Sequence, residues 1–122
     1  MTKRPLMKYV AFLIIMLTGC ATRSDLVSAG VRDTLVSSLT PLKLAMCIDR
    51  NVDENSALGS LDSKVIDPGT EPVEVVVRNG ATTYAVVKIS TFERGSTASF
   101  YYGGVANMFP GDAYKMMSKG CK

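Results

Sequence analysis

The three cysteines are the side chains of this sequence with the widest chemical range, because a thiolate can attack a substrate, bind a metal or form a disulfide. They are Cys20, Cys47 and Cys121, and the chain contains no histidine. Histidine-dependent catalytic arrangements are therefore excluded, and Cys47 with Cys121 cannot complete a tetrahedral zinc shell without carboxylate help. The pair Asp53-Glu54 lies in a polar stretch, where solvated carboxylates are far commoner than catalytic ones. We predict a protein that is not an enzyme, with no catalytic residue, metal or cofactor.

The residues before Cys20 form a basic segment, then an apolar segment, then a short segment of small residues. Lys3, Arg4 and Lys8 make the start basic, residues 10–17 form an apolar run, and residues 18–20 are Thr-Gly-Cys. An apolar run of about eight residues suits a signal peptide, whereas about twenty are needed to cross a bilayer as a helix. The order predicts export from the cytoplasm.

The tetrapeptide Leu17-Thr18-Gly19-Cys20 resembles the lipobox of bacterial lipoproteins. The resemblance implies that residues 1–19 are a lipoprotein signal peptide and that Cys20 is lipidated, with palmitate among its acyl chains. Ala21 follows instead of the Asp that retains lipoproteins at the inner membrane, which favours a lipid anchor in the outer membrane facing the periplasm. An ordinary cleaved signal peptide with an unmodified Cys20 is the alternative.

Removal of the signal peptide changes the charge of the chain. The sequence carries 14 basic and 11 acidic residues, and three basic residues leave with residues 1–19, so 14 − 3 = 11 basic residues balance 11 acidic ones. A neutral chain lacks the positive surface that binds nucleic acid. The remaining 122 − 19 = 103 residues are enough for one small domain.

Cys47 and Cys121 form an even pair once Cys20 carries lipid. In an oxidising compartment such a pair favours a structural disulfide, and a loop of this length gives about 4 to 4.5 kcal/mol in the chain-entropy model. Redox-active thiols usually lie close together as Cys-X-X-Cys, whereas these two are far apart in the sequence. Two unpaired buried thiols are the alternative.

Residues 20–40 are predicted to be a lipid-anchored tether or a short helix. Val27, Val31, Leu35 and Leu39 recur every four residues, which favours a weak amphipathic helix, although a coil fits nearly as well. Residues 41–122 are predicted to form a single globular domain. Its first helix begins after Thr40, because proline suits the first helical position that follows.

The middle of the chain has the period of two that is typical of strands. Residues 73–77 and 82–90 flank Asn79-Gly80, a strong hairpin signal, and a further turn at 94–96 leads into residues 97–102. A short helix follows from Pro110. We predict an α+β fold in which a small antiparallel β-meander of three or more strands is covered by an N-terminal and a short C-terminal helix, tied by one disulfide.

Consecutive aromatic residues end the last predicted strand. Because side chains alternate along a strand, Phe100 and Tyr102 share one face and Tyr101 takes the other. We predict Tyr101, Tyr102 and Phe109 as candidate partner contacts. Cross-strand packing of Tyr84 against Tyr101 or Tyr102 explains the same pattern without a partner.

A second resemblance comes from Cys47-Ile48-X-X-Asn51 and the penultimate Cys121. In these residues the sequence resembles a loose group of small secreted or lipidated proteobacterial proteins of unknown function. The combined prediction is a non-enzymatic binding or structural module for an envelope partner, of the secretion, conjugation or phage-exclusion type, with no nucleic acid or small-molecule substrate. An inhibitor or binder of a secreted hydrolase such as lysozyme is the alternative, although the serine-glycine-X-X-tyrosine loop of lysozyme inhibitors is missing.

Overall fold

The computed structural model describes residues 22–55, 61–102 and 110–122. Within these ranges three helices and five strands alternate in an α+β arrangement, as predicted. In chain order they are α1 (Arg23–Ala29), β1 (Asp33–Ser37), α2 (Pro41–Glu54), β2 (Leu61–Ile66), β3 (Val73–Asn79), β4 (Thr82–Phe92), β5 (Gly95–Tyr102) and α3 (Pro110–Ser118).

All five strands form one antiparallel sheet with the order β1-β5-β4-β3-β2. Strands β3, β4 and β5 are the predicted meander. Two strands that the sequence analysis did not predict extend it, β2 beside β3 and β1 beside β5. The predicted hairpin is confirmed, but its turn is displaced by one residue: Asn79 still pairs with Thr82 in the ladder, so Gly80 and Ala81 are the two connecting residues. Gly80 adopts a φ of 62°, a conformation that glycine reaches without steric cost.

The helix predicted from the four-residue spacing between Val27 and Leu39 is correct only in its first part. Helix α1 ends at Ala29, and Gly30 follows with a φ of 97°. Leu35 then lies in strand β1, opposite Ala98 of β5, and is only 2% exposed. The strand prevails because pairing with β5 places Leu35 in the core, whereas a longer helix would leave the edge of β5 unpaired.

Helices α2 and α3 cover one face of the sheet, which we call the core face. Helix α2 contacts β2, β3, β4 and β5, and it also packs against α3. The predicted cover of the apolar face is therefore confirmed. The buried residues of this cluster are Leu35, Leu44, Ala45, Ile48, Val52, Val73, Val75, Val77, Ala85, Val87, Ile89, Ala98, Phe100, Tyr102, Ala113, Met117 and Cys121.

Two residues one turn apart on α2 hold the end of the chain. Cys47 forms the predicted disulfide with Cys121, with the two Cα atoms 5.8 Å apart. The amide Nδ2 of Asn51 donates to the carbonyl oxygens of Met117 at 2.8 Å and Lys119 at 2.9 Å. These carbonyls belong to the last turn of α3 and the residues beyond it, where helix carbonyls lack partners in their own helix. We call this arrangement the C-terminal clasp.

The clasped segment is also bonded to the end of β1. The Ser37 hydroxyl donates to the carbonyl oxygen of Cys121 at 2.6 Å and accepts from the Leu39 amide at 3.1 Å. Gly95 lies against the same place, where an added Cβ would be 2.0 Å from the Ser37 carbonyl oxygen. A larger residue at position 95 would push β1 away from the start of β5.

Replacing Asn51 with Ala removes the donor of the C-terminal clasp, so the carbonyl of the buried Met117 and that of the exposed Lys119 lose this hydrogen bond. We expect the free energy of unfolding to fall by about 1–3 kcal/mol. Urea unfolding of the purified protein measures the change. The matched control is Asp53→Asn on the exposed side of the same helix, for which we expect less than about 0.5 kcal/mol. If the two substitutions lower the free energy of unfolding equally, the hydrogen bonds of Asn51 do not stabilise the fold as proposed.

The disulfide joins residues 74 positions apart. Without it the unfolded chain gains conformational entropy, which lowers the free energy of unfolding. For the double variant Cys47→Ser, Cys121→Ser we expect a loss of about 4 kcal/mol, measured by urea unfolding. When the natural mature protein is unfolded without a reducing agent, a thiol reagent should not label Cys47 or Cys121, because both sulfur atoms are in the disulfide. Labelling at Cys47 or Cys121 under those conditions contradicts the pairing.

Candidate functional site

The described part of the chain begins two residues after Cys20, at a capped helix. Thr22 is the N-cap of α1, and its hydroxyl accepts from the Asp25 amide at 3.3 Å. In return the Asp25 carboxylate accepts from the Thr22 amide at 3.0 Å, which completes a capping box. These hydrogen bonds lower the pKa of Asp25, the backbone donor contributing most. Cys20 itself lies outside the described residues.

The first residue of α1 is bound to the sheet. The Arg23 guanidinium donates to both carboxylate oxygens of Glu74 in β3, with Nε and Oε2 2.7 Å apart. This hydrogen bonding lowers the pKa of Glu74 and raises that of Arg23. Because the folded-state pKa of Glu74 is lowered, the contribution of the pair is present above the ordinary glutamate pKa and is lost as the pH falls through the lowered value.

Helix α1 lies on the face of the sheet opposite α2 and α3, which we call the second face. It contacts β4 and β5, and Leu26 is its buried residue at 4% exposure. The register pairs Val76 with Val86 on this face, and both are buried although they lie outside the main core cluster. The residues predicted as a tether or short helix therefore include a helix that packs on the domain.

Tyr101 lies on the second face, as the strand alternation predicts. It pairs with Val86 of β4 and is half-buried. The ammonium group of Lys88 lies 5.9 Å from the centre of its ring, a separation that allows a cation–π interaction. Tyr101 is thus the predicted contact residue whose ring the structure places partly at the surface.

Tyr102 has a different environment on the core face. Its side chain is 1% exposed, and its hydroxyl donates to Asp33 Oδ2 at 3.1 Å. Burial and this hydrogen bond raise the pKa of Tyr102 well above its usual range. The ring lies 6.4 Å from that of Phe100, which contacts Tyr114 edge to face at 5.2 Å. Tyr102 packs the core in this structure, so its ring does not join Tyr101 on the surface.

The remaining predicted contact, Phe109, lies outside the described residues. Tyr84, which the sequence pairs with Tyr101 or Tyr102, is the extra residue where the register between β3 and β4 shifts. It is partly buried and packs against the core cluster. Burial raises the pKa of Tyr84, with a smaller contribution from the charge of Asp112.

Turns with charged residues lie at the end of the sheet where β3 begins, close to Glu74. We call this the Glu74 end. Strands β3 and β5 begin there, and β1, β2 and β4 finish there. One open groove of about 420 Å³ is lined by Val36, Ser37, Ser38, Phe92, Glu93, Arg94, Gly95 and Lys122. A second groove of about 400 Å³ is lined by Arg23, Ile66, Asp67, Thr70, Glu71, Pro72 and Glu74. Both therefore lie at the end from which α1 starts.

Two structural roles escaped the sequence analysis. Asn51 entered only through the resemblance, although its position four residues after Cys47 on a helix places both on one face. Asp33 carried no signal, because its partner Tyr102 is 69 positions away. Over residues 22–55, 61–102 and 110–122, no cluster of three potential metal-binding His, Cys, Asp or Glu side chains occurs.

Comparison with known proteins found no family model, curated protein or solved structure that matches this chain. Among the helices that the structure describes, none has the length and apolar character needed to cross a membrane.

Proposed function

We propose that the chain is a lipoprotein of the outer membrane, anchored through acylated Cys20 and facing the periplasm. Its folded domain binds a protein partner in the envelope and catalyses no reaction. The observation that carries the proposal is Leu17-Thr18-Gly19-Cys20 after a basic start and a short apolar run. Anchoring concentrates the domain near membrane partners without requiring any additional contact.

The use of the other two cysteines supports lipid at Cys20. Cys47 and Cys121 are joined in the C-terminal clasp, so Cys20 is the one remaining cysteine of the sequence. A disulfide of this kind is typical of proteins in oxidising compartments such as the bacterial periplasm. The pairing and the signal sequence thus point to the same compartment.

The contacts of the polar side chains support a binding rather than a catalytic role. Asn51 holds carbonyls of the C-terminal segment, and the Tyr102 hydroxyl is bound to Asp33. The Glu71 carboxylate accepts from the amide and hydroxyl of Thr91, which lowers its pKa, the hydroxyl contributing most. These groups stabilise the fold through their hydrogen bonds. Tyr101, with Lys88 beside it, is a surface group suited to a protein contact.

The test of the anchor is labelling of growing cells with palmitate. We expect the intact protein to incorporate label and Cys20→Ser to incorporate none, because the serine hydroxyl does not replace the thiol that receives the lipid. Ser24→Ala is the matched control, an exposed change four residues further along that should leave labelling intact. An unlabelled natural protein, or a labelled Cys20→Ser variant, contradicts lipidation at Cys20.

The test of the binding surface is crosslinking in intact cells with Tyr101→Ala. We expect loss of the adduct with an integral outer-membrane protein, because the variant removes the half-buried ring while the core face remains complete. Unfolding in urea should show that the variant is still folded. Leu42→Ala, at a 44% exposed position of α2, is the control and should retain the adduct.

Unchanged crosslinking of Tyr101→Ala would exclude Tyr101 from the contact. A stable complex with added lysozyme, in place of an outer-membrane adduct, would support the hydrolase-inhibitor alternative and contradict the proposed partner class.

A further inference from the structure

We propose that the Glu74 end of the second face rests on the lipid surface, with Phe92 and Val36 in contact with the headgroup region. This inference depends on the proposed acylation of Cys20 and adds the orientation that the domain takes on the membrane. Three observations carry it: the shortness of the connection to Cys20, the docking of α1, and the position of two exposed apolar side chains.

The connection between lipid and domain is short. The capping box fixes the chain at Thr22, so Ala21 is the single residue between the capped position and Cys20. Even when fully extended, a chain of this length separates Cys20 from Thr22 by only about 7 Å. The start of α1 must therefore lie close to the membrane surface.

Helix α1 transmits this constraint to the sheet. Leu26 is buried on the second face, and Arg23 is bound to Glu74 near the beginning of β3. A helix held at both places cannot act as a flexible extension of the tether. The membrane thus lies near the Glu74 end, on the side of the sheet where α1 is docked.

Phe92 and Val36 lie on this same face and at this same end. Lys88 is opposite Glu74 in the register, and Phe92 is four residues further along β4, about 13 Å away. Val36 is opposite Thr97, which also faces Ser90 of β4. Because side chains alternate, Phe92 and Val36 project from the second face, as Glu74 and Lys88 do.

Both side chains are exposed, Phe92 by 45% and Val36 by 59%. Single apolar residues are common at protein surfaces and do not by themselves indicate a binding site. Here they border one groove together with Arg94 and Lys122, whose positive charges can approach lipid phosphates, and with the acidic Glu93. An apolar contact bordered by charged residues fits shallow contact at the headgroup boundary, and the lipid on Cys20 keeps that surface within reach.

The absence of tryptophan from the sequence makes a direct test practical. Phe92→Trp is introduced into the full lipidated protein and reconstituted in vesicles of phosphatidylethanolamine and phosphatidylglycerol that carry a brominated phosphatidylcholine. We expect a blue shift of the emission and loss of fluorescence through quenching by the brominated lipid. Met46→Trp is the matched control, 54% exposed on α2 over the core face, and should show neither change.

The outcomes separate this inference from the proposed function. Vesicle flotation with quenching at position 92 but not at position 46 supports both. Flotation without quenching at position 92, or with equal quenching at both positions, overturns the orientation and leaves the anchor intact. Failure of the natural protein to float overturns the anchor itself. A ten-residue Gly-Ser insertion between Ala21 and Thr22 should preserve flotation and reduce quenching at position 92; undiminished quenching would refute the role of the short connection.

Discussion

The C-terminal clasp is the constraint on which the rest of the domain depends. Helix α2 crosses the core face between the two edges of the sheet, and α3 follows the final strand, so the two helices come from distant parts of the chain. Cys47 joins them covalently through Cys121, while Asn51 provides donors to carbonyls that the end of α3 leaves open. The disulfide reduces the number of conformations open to the unfolded chain. The hydrogen bonds from Asn51 satisfy carbonyl groups at the end of α3 that have no partner within their own helix. Together they keep both helices over the sheet.

The core face is covered in this way, so the contacts that we propose outside the domain fall to the second face. Helix α1 covers part of this face: Leu26 is buried there, and α1 contacts β5 and the strand β4 that carries Val86. The segment beside the proposed lipid anchor is thus part of the folded domain. The Arg23–Glu74 pair and the exposed Phe92 lie on the second face, whereas the clasp lies on the core face and reaches the end of β1, where Ser37 is bonded to Cys121.

Local patterns predicted the parts of the fold that depend on near neighbours. The alternation in β3 and β4, the glycine in their hairpin and the proline at the start of α2 each act over a few residues. The sequence missed β1 because Leu35 fits a four-residue helical spacing and becomes part of a strand only through pairing with β5. It missed Asp33 and the clasp role of Asn51 for the same reason, since their partners lie more than 60 positions away. Strand alternation correctly separated Tyr101 from Tyr102, but burial of Tyr102 required the helices to be in place.

The central claim is that Cys20 becomes the first residue of the mature protein and carries lipid. It rests on residues that precede the folded domain, and the disulfide supports it by engaging the other two cysteines. The most direct test is mass spectrometry of the natural protein extracted from membranes. We predict a mature chain that begins at Cys20, with the added mass of acyl groups on the N-terminal peptide that contains Cys20. A mature chain beginning elsewhere, or an unmodified Cys20, would contradict it.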